Sequence, residues 1–389
     1  MIRIVILLAF LAAFAPVSTD MYLPAIPDLE ASWHEPLTYI NLALSGFFVA
    51  FCLSILMFGP LSDHFGRKKP LLVGIAIYCV ASILCATAND LDHFVIYRML
   101  QGFGAGSASA ISLAIAKDRF TDAVQRGQVL SYIAVIMAIA PMAAPTMGAV
   151  LLQVSDWRMI FIVQFLFGLF LWCMVAAMKE SLLTKEAIST GEVISRYFSF
   201  LSKRIFLSYC VISSLLLAPL FAFIAVSSTI YQETMKLGAV EYGLLFAFNA
   251  LSIMLGNLVY LKLQKKMGDR KLIILAITVA MTGACIQLLL SSFHHILAFA
   301  LPMFIITFGV GIGRAPSVNS ALEQINQHTG IASSIIVFSN FFIASIAMLI
   351  ASIEMENRIA LIAILALCAS SVNAMLMFGL HCYRIAQKI

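Results

Sequence analysis

The sequence predicts an all-α, polytopic membrane protein with twelve transmembrane helices in two pseudo-symmetric six-helix bundles. Three observations carry that prediction. Of 389 residues, 62% are hydrophobic and only 11% charged, against about 25% charged in a soluble domain. The apolar residues fall in continuous runs of about 20, the length a helix needs to cross about 30 Å of hydrocarbon. The runs show no period-two alternation, which argues against a transmembrane β-barrel.

The spans fall near 4–24, 37–60, 70–88, 92–115, 129–152, 158–178, 206–230, 241–262, 271–291, 295–317, 330–351 and 358–381. The first begins like a secretory signal, but its apolar stretch continues to Leu23, too long for a signal core, so it reads as a retained helix. Charge sets the orientation. Nineteen loop lysines and arginines lie on the side of the N-terminus, against Arg158, Lys236 and Arg358 on the other. Cations stay on the cytoplasmic side. Both termini are therefore expected in the cytoplasm, with the chain multi-pass in the cytoplasmic (inner) membrane. The opposite loops are acidic, with Asp28, Glu30, Asp90, Asp92, Glu233 and Glu354 among them. This asymmetry accounts for the net charge of +5 without nucleic acid. The eight cysteines form no Cys-x-x-Cys pair and read as buried thiols, not metal ligands or disulfides.

The longest connection is polar and divides the chain into an N-terminal bundle (1–178), a cytoplasmic linker (179–205) and a C-terminal bundle (206–389). Both halves carry a basic loop with a glycine between their second and third spans. These are Gly66-Arg67-Lys68-Lys69 and Gly268-Asp269-Arg270-Lys271. Two like-oriented halves suggest a parallel repeat around a midplane site, as in transporters.

Three charges fall inside spans: Asp20, Arg98 and Arg314. Each costs about 2.5–3.5 kcal/mol at the bilayer centre unless neutralised or paired. Asp20 lies about 5–6 Å, and Arg98 about 9 Å, below the outer ends of their spans at 1.5 Å per residue. The matching heights suggest an ion pair facing a central cavity; the alternative is that both snorkel to the outer headgroups. Arg314, near the inner end of the tenth span, reads as a snorkelling or gate residue, not a substrate contact. The embedded polar residues Tyr22, Asn41, Gln101, Gln164, Asn249, Asn257 and Asn340 are candidates for lining the cavity, though some only bridge helices.

Several motifs resemble the major facilitator superfamily. Gly59-Pro60-Leu61-Ser62-Asp63-His64-Phe65-Gly66-Arg67-Lys68 has the spacing of its loop signature. There Gly59 and Gly66 permit close approach and a turn, and Asp63 can pair with Arg67 at the inner gate. The second copy lacks the leading Gly and Asp, so the stronger latch is expected in the first half. Arg98-Met99-Leu100-Gln101-Gly102-Phe103-Gly104 looks like the Arg-x-x-Gln-Gly-x-Gly motif of proton-coupled members. Pro141, Pro145 and Gly148 in the fifth span resemble the antiporter motif, with alanines at positions 140 and 144 where glycines are common. Thr19-Asp20-Met21-Tyr22-Leu23-Pro24 is similar to the opening of the bicyclomycin- and chloramphenicol-resistance branch of drug:proton antiporters.

The resemblance implies proton-coupled efflux of small, largely apolar drugs, with Asp20 and Arg98 coupling the proton. The expected partners are a small-molecule substrate, protons and the lipid bilayer, and the expected state is a monomer. Export of an endogenous metabolite or siderophore, or uncoupled facilitation, fits the same layout. No cofactor is expected: the chain lacks a Gly-x-x-x-x-Gly-Lys loop for ATP. Nor do its spans hold the clustered His, Asp or Cys residues a membrane enzyme would need.

Overall fold

A computed structural model describes residues 2–120, 123–182, 190–293, 295–325 and 329–386. Part of the predicted linker, 183–189, lies outside the described residues. The long helices are α1 (Ile2–Asp20), α2 (Ile26–Trp33, joined to α1 by a short turn), α3 (Leu37–Phe65), α4 (Lys68–Ala86), α5 (Leu91–Arg119), α6 (Ala123–Val154) and α7 (Arg158–Ala177). A linker helix, α8 (Thr190–Leu201), precedes α9 (Arg204–Ser228), α10 (Ala239–Leu290), α11 (Ile296–Leu322), α12 (Thr329–Ala351) and α13 (Arg358–Ala386).

Among the described residues, ten helical stretches are long and apolar enough to cross a membrane. One of them, α10, runs 52 residues and breaks at Gly268, whose φ of 71° and ψ of 158° are not helical, so it supplies two crossings. The apolar stretch Ile139–Val154 of α6 supplies the remaining one. The result is the twelve-crossing all-α layout that hydropathy predicts.

The chain divides into two compact units. One comprises Met1–Val193 with Gly238–Leu244, the other Ile194–Leu237 with Leu245–Ile389. Within each, a glycine stripe sets the spacing of one central helix. In α5, a Cβ on Gly102 would fall 2.2 Å from the Phe47 carbonyl of α3, and one on Gly104 would fall 2.6 Å from the Tyr78 nitrogen of α4. In α11, a Cβ on Gly311 would fall 2.4 Å from the Ile253 carbonyl of α10, and one on Gly309 2.8 Å from that of Ala276. Lipid tails are as apolar as the side chains, so helix association rests on such close backbone contact. The two Gly-x-Gly-x-Gly stretches, Gly102–Gly106 and Gly309–Gly313, are a repeat that charge and loop patterns did not expose.

Candidate functional site

The first site is built where α1 ends. A helix leaves its last four carbonyls without intrahelical partners and its end partially negative. α1 stops at Asp20, so Val17 and Ser18 are among those four. Gln164 of α7 donates from Nε2 to both carbonyls, at 3.4 and 3.2 Å. Arg98 of α5 donates from Nη1 to the Ser18 carbonyl at 3.2 Å and to Oε1 of Gln101. Gln101 in turn donates to Gln164 Oε1 at 2.9 Å and to the Ser82 hydroxyl of α4 at 2.8 Å. The Ser18 hydroxyl meets the Tyr78 hydroxyl at 2.7 Å. One cation and two amides thus tie three helices, α4, α5 and α7, to the end of α1.

Aromatic rings complete the enclosure. The Arg98 guanidinium carbon lies 4.8 Å from the ring centres of Tyr22 and Phe47 and 5.6 Å from that of Phe161. Desolvated stacking of this kind contributes about 2 kcal/mol. Beyond these rings, Trp33 packs on Phe94 at 5.0 Å and on Trp157 at 5.2 Å. Arg98 is left fully buried, and its Nε and Nη2 make no hydrogen bond among the described residues.

The expected Asp20–Arg98 ion pair is not formed: no ion pair within 4 Å joins them among the described residues. Asp20 is 6% exposed and accepts a hydrogen bond from Thr19 Oγ1 at 2.8 Å. The cause is where α1 ends. The backbone carbonyl of Ser18, not the carboxylate two residues on, takes the guanidinium.

The candidate cavity residues fall into separate groups. Gln101 and Gln164 bridge helices around Arg98, and Tyr22 is a wall of its aromatic cage. Asn41 is buried in α3. Asn249 of α10 accepts from Thr307 of α11 at 2.6 Å, and Asn340 of α12 accepts from Ser214 of α9 at 3.0 Å; both belong to the second unit. Asn257 is exposed. An apolar hollow of about 300 Å³, lined by Thr146, Met147, Val150, Leu151 and Val163, touches none of them. Gly148 of α6 packs beside Asp20: a Cβ there would lie 1.9 Å from the Met21 carbonyl. Pro141 and Pro145 lie inside the same helix.

The second site is the loop between α3 and α4. Gly59 lies inside α3, and Gly66 ends the helix with φ 95°. Arg67 then turns back. Its Nη1 meets Asp63 at 2.5 Å and Ser62 Oγ at 2.8 Å, and its Nε meets Asp118 of α5 at 2.9 Å. Burial pulls the Arg67 guanidinium down, but hydrogen bonds and charge from Asp118 and Asp63 outweigh it and hold Arg67 above its ordinary value. The carboxylate of Glu180, just past α7, accepts from the backbone nitrogens of Arg67 at 2.9 Å and Lys68 at 3.1 Å. It therefore caps the otherwise uncapped start of α4. Burial raises the Glu180 carboxyl, yet backbone N–H groups of Leu182, Lys68, Arg67 and Ser181 hold it below the usual range. Lys68 Nζ reaches the Ala176 carbonyl at 2.6 Å, and Arg119 Nη2 the Lys179 carbonyl at 2.5 Å. Sequence reasoning missed Asp118 and Glu180. At the second copy, Gly268 has open space around it, and no ion pair forms among the described residues.

Comparison with known proteins places this geometry. The sequence profile described as Major Facilitator Superfamily matches residues 8–348. An uncharacterized MFS-type transporter, YdgK of Bacillus subtilis, is 28% identical over 388 residues, covering 98% of this chain and 96% of its own. Chloramphenicol resistance protein CraA of Acinetobacter baumannii is 27% identical, over 84% of this chain and 80% of its own. Multidrug resistance protein MdtL of Shigella dysenteriae is 30% identical, over 82% and 80%. Two solved transporters share the fold. The D-xylose–proton symporter has a TM-score of 0.75 at 14% identity over 96% of this chain and 97% of its own; the nucleoside transporter NupG has 0.76 at 13% over 97% and 98%.

Proposed function

This chain belongs to the Major Facilitator Superfamily, and from that premise we propose that it exports small, largely apolar toxic compounds across the cytoplasmic membrane in exchange for protons. Drug resistance comes from the names of its relatives. Proton coupling rests on one observation: Asp20 is buried at the end of α1 and, among the described residues, accepts from the Thr19 hydroxyl and forms no ion pair with a cation. An ionised carboxylate so placed costs several kcal/mol, whereas the neutral acid does not. Its protonation therefore biases the conformation of whatever packs against it, here the Met21–Gly148 contact of α1 with α6. A proton taken up from the outer solution favours return of the empty carrier, and its release inside accompanies drug loading. Arg98 keeps the end of α1 in place through this cycle. The chain acts as a monomer with both termini in the cytoplasm.

The test is movement of chloramphenicol into everted membrane vesicles with an acid interior, wild type against Asp20→Asn. The variant keeps the Thr19 hydrogen bond. It should bind the drug but show no accumulation driven by the pH gradient. Wild-type, pH-dependent accumulation by Asp20→Asn would overturn the proposal.

A further inference from the structure

The two copies of the basic loop use their cations differently. In the first, Arg67 is taken up by Asp63 and Asp118, Lys68 by the Ala176 carbonyl and Arg119 by the Lys179 carbonyl. In the second, Lys262, Lys265, Lys266 and Lys271 are exposed and form no ion pair among the described residues. Lys203 and Arg204, just after α8, are exposed and free of ion pairs in the same way, with Lys203 Nζ 5.4 Å from the Phe200 ring centre. Packing joins the two sets. Phe200 and Phe206 share one buried cluster with Tyr260, Leu272 and Ile273, and Leu263 and Met267 pack against it. Two acids lie at this end, Asp269 and Glu323; they feel each other's charge, and neither takes up a cation within 4 Å among the described residues.

The cations stand where exposed apolar strips stop. Leu255, Leu258, Lys262 and Lys265 follow one another at three, four and three residues and so share a face of α10. Leu255 is 37% and Leu258 47% exposed. Beyond the break at Gly268, Lys271 lies three residues before Ile274 and ten before Met281, again on one face, with Ile274 45% exposed. Each strip is apolar along the span and cationic at the turn, which puts the ammonium groups at the level of lipid phosphates. α8 has the same two-sided make-up. Tyr197 and Phe200, three apart, pack on the buried cluster, whereas Phe198 and Leu201, also three apart, are 69% and 45% exposed. Exposed Phe and Leu beside cations suit a helix lying in the membrane interface.

We propose that this end of the second unit is a docking surface for anionic phospholipid. Lys203, Arg204, Lys262, Lys265, Lys266 and Lys271 hold the phosphate headgroups, and Phe198 and Leu201 enter the acyl boundary beneath them. Ammonium groups on flexible stems suit mobile phosphodiesters as point charges. The inference goes beyond drug export and does not depend on it.

The probe is phosphatidylglycerol labelled on an acyl chain, titrated into the detergent-purified full chain and read by fluorescence anisotropy, beside phosphatidylcholine with the same label. Wild type should bind phosphatidylglycerol about tenfold or more tightly than phosphatidylcholine, with the preference narrowing as salt rises. Changing Lys262, Lys265, Lys266 and Lys271 together to Gln should abolish the preference, and changing the same four to Arg should keep it. Phe198→Ser with Leu201→Ser should weaken both lipids alike. Lys69→Gln with Lys117→Gln, exposed cations of the first unit, should leave the preference within about twofold of wild type. No preference in wild type overturns the proposal without recourse to any variant. So does a wild-type preference in the fourfold Gln variant. Equal loss in the Lys69/Lys117 pair would mean that charge spread over the whole inner face attracts the lipid, which also overturns it. Displacement of labelled phosphatidylglycerol by an equal concentration of glycerol 1-phosphate would make this a site for soluble phosphates and not for lipid.

Discussion

The backbone carbonyl of Ser18 accepts a hydrogen bond from Arg98 Nη1 at 3.2 Å, so the guanidinium caps the end of α1 instead of closing an ion pair with Asp20. A cation at the negative end of a helix is favourably placed. Arg98 and Asp20 are therefore joined through the short backbone segment from Ser18 to Asp20 and not by a direct ion pair.

Arg98→Lys keeps the charge but loses the planar group that three rings and Gln101 surround. The loss of stacking should cost about 2 kcal/mol. Thermal unfolding of the detergent-solubilised protein should show a lower midpoint, with export reduced in parallel. An unchanged midpoint would mean that the cage contributes nothing.

Arg67 has two carboxylate partners of unequal exposure: 15% for the Asp118 side chain and 43% for Asp63. Screening weakens the more exposed pair. Asp118→Asn should destabilise by about 1–2 kcal/mol and Asp63→Asn by less than about 1 kcal/mol. The Asp63 effect should fade further in high salt. The reverse order in unfolding midpoints would contradict this ranking.

Glu180 gives a pH dependence. Its carboxyl is held below the usual range by backbone donors, so its contribution is full above the unfolded value of about 4.3 and is lost as pH falls through the lower folded value. Glu180→Gln should therefore cost about 1 kcal/mol at neutral pH after allowance for solvent screening. The gap from wild type should close in strongly acidic solution. A gap independent of pH would assign Glu180 a role in packing alone.

Gly66 and Gly268 share a left-handed φ, 95° and 71°, but not their surroundings. A Cβ on Gly66 would fall 2.6 Å from Glu180 Oε2, whereas one on Gly268 would meet nothing within 4 Å. Gly268→Ala should cost only backbone strain, about 1–3 kcal/mol. Gly66→Ala should cost more and should also release the Glu180 cap. In the Glu180→Gln background the difference between the two glycine variants should shrink, measured by the same unfolding assay.

The spans were legible because hydrocarbon thickness sets run length, and the loop signature because Gly66, Asp63 and Arg67 lie within a few residues. The end of α1 was not. Apolar residues continue through Leu23, so hydropathy hides the break at Asp20, and a backbone carbonyl such as that of Ser18 has no signature in a sequence. The partners of Arg67 were hidden by distance: Asp118 is 51 positions away and Glu180 is 113. Gln101 and Gln164 stand out in the sequence as polar residues within spans, but only the fold shows that they hydrogen-bond each other.

Of the chain's three tryptophans, two, Trp33 and Trp157, stand with ring centres 5.2 Å apart in the aromatic layer that covers Arg98. The third, Trp172, is 37% exposed. The protein thus carries its own optical probe at the place where the bundled rings would have to part. Changes in intrinsic emission during turnover can be followed without attaching a dye, and the signal from Trp172 can be removed by a single substitution far from that layer.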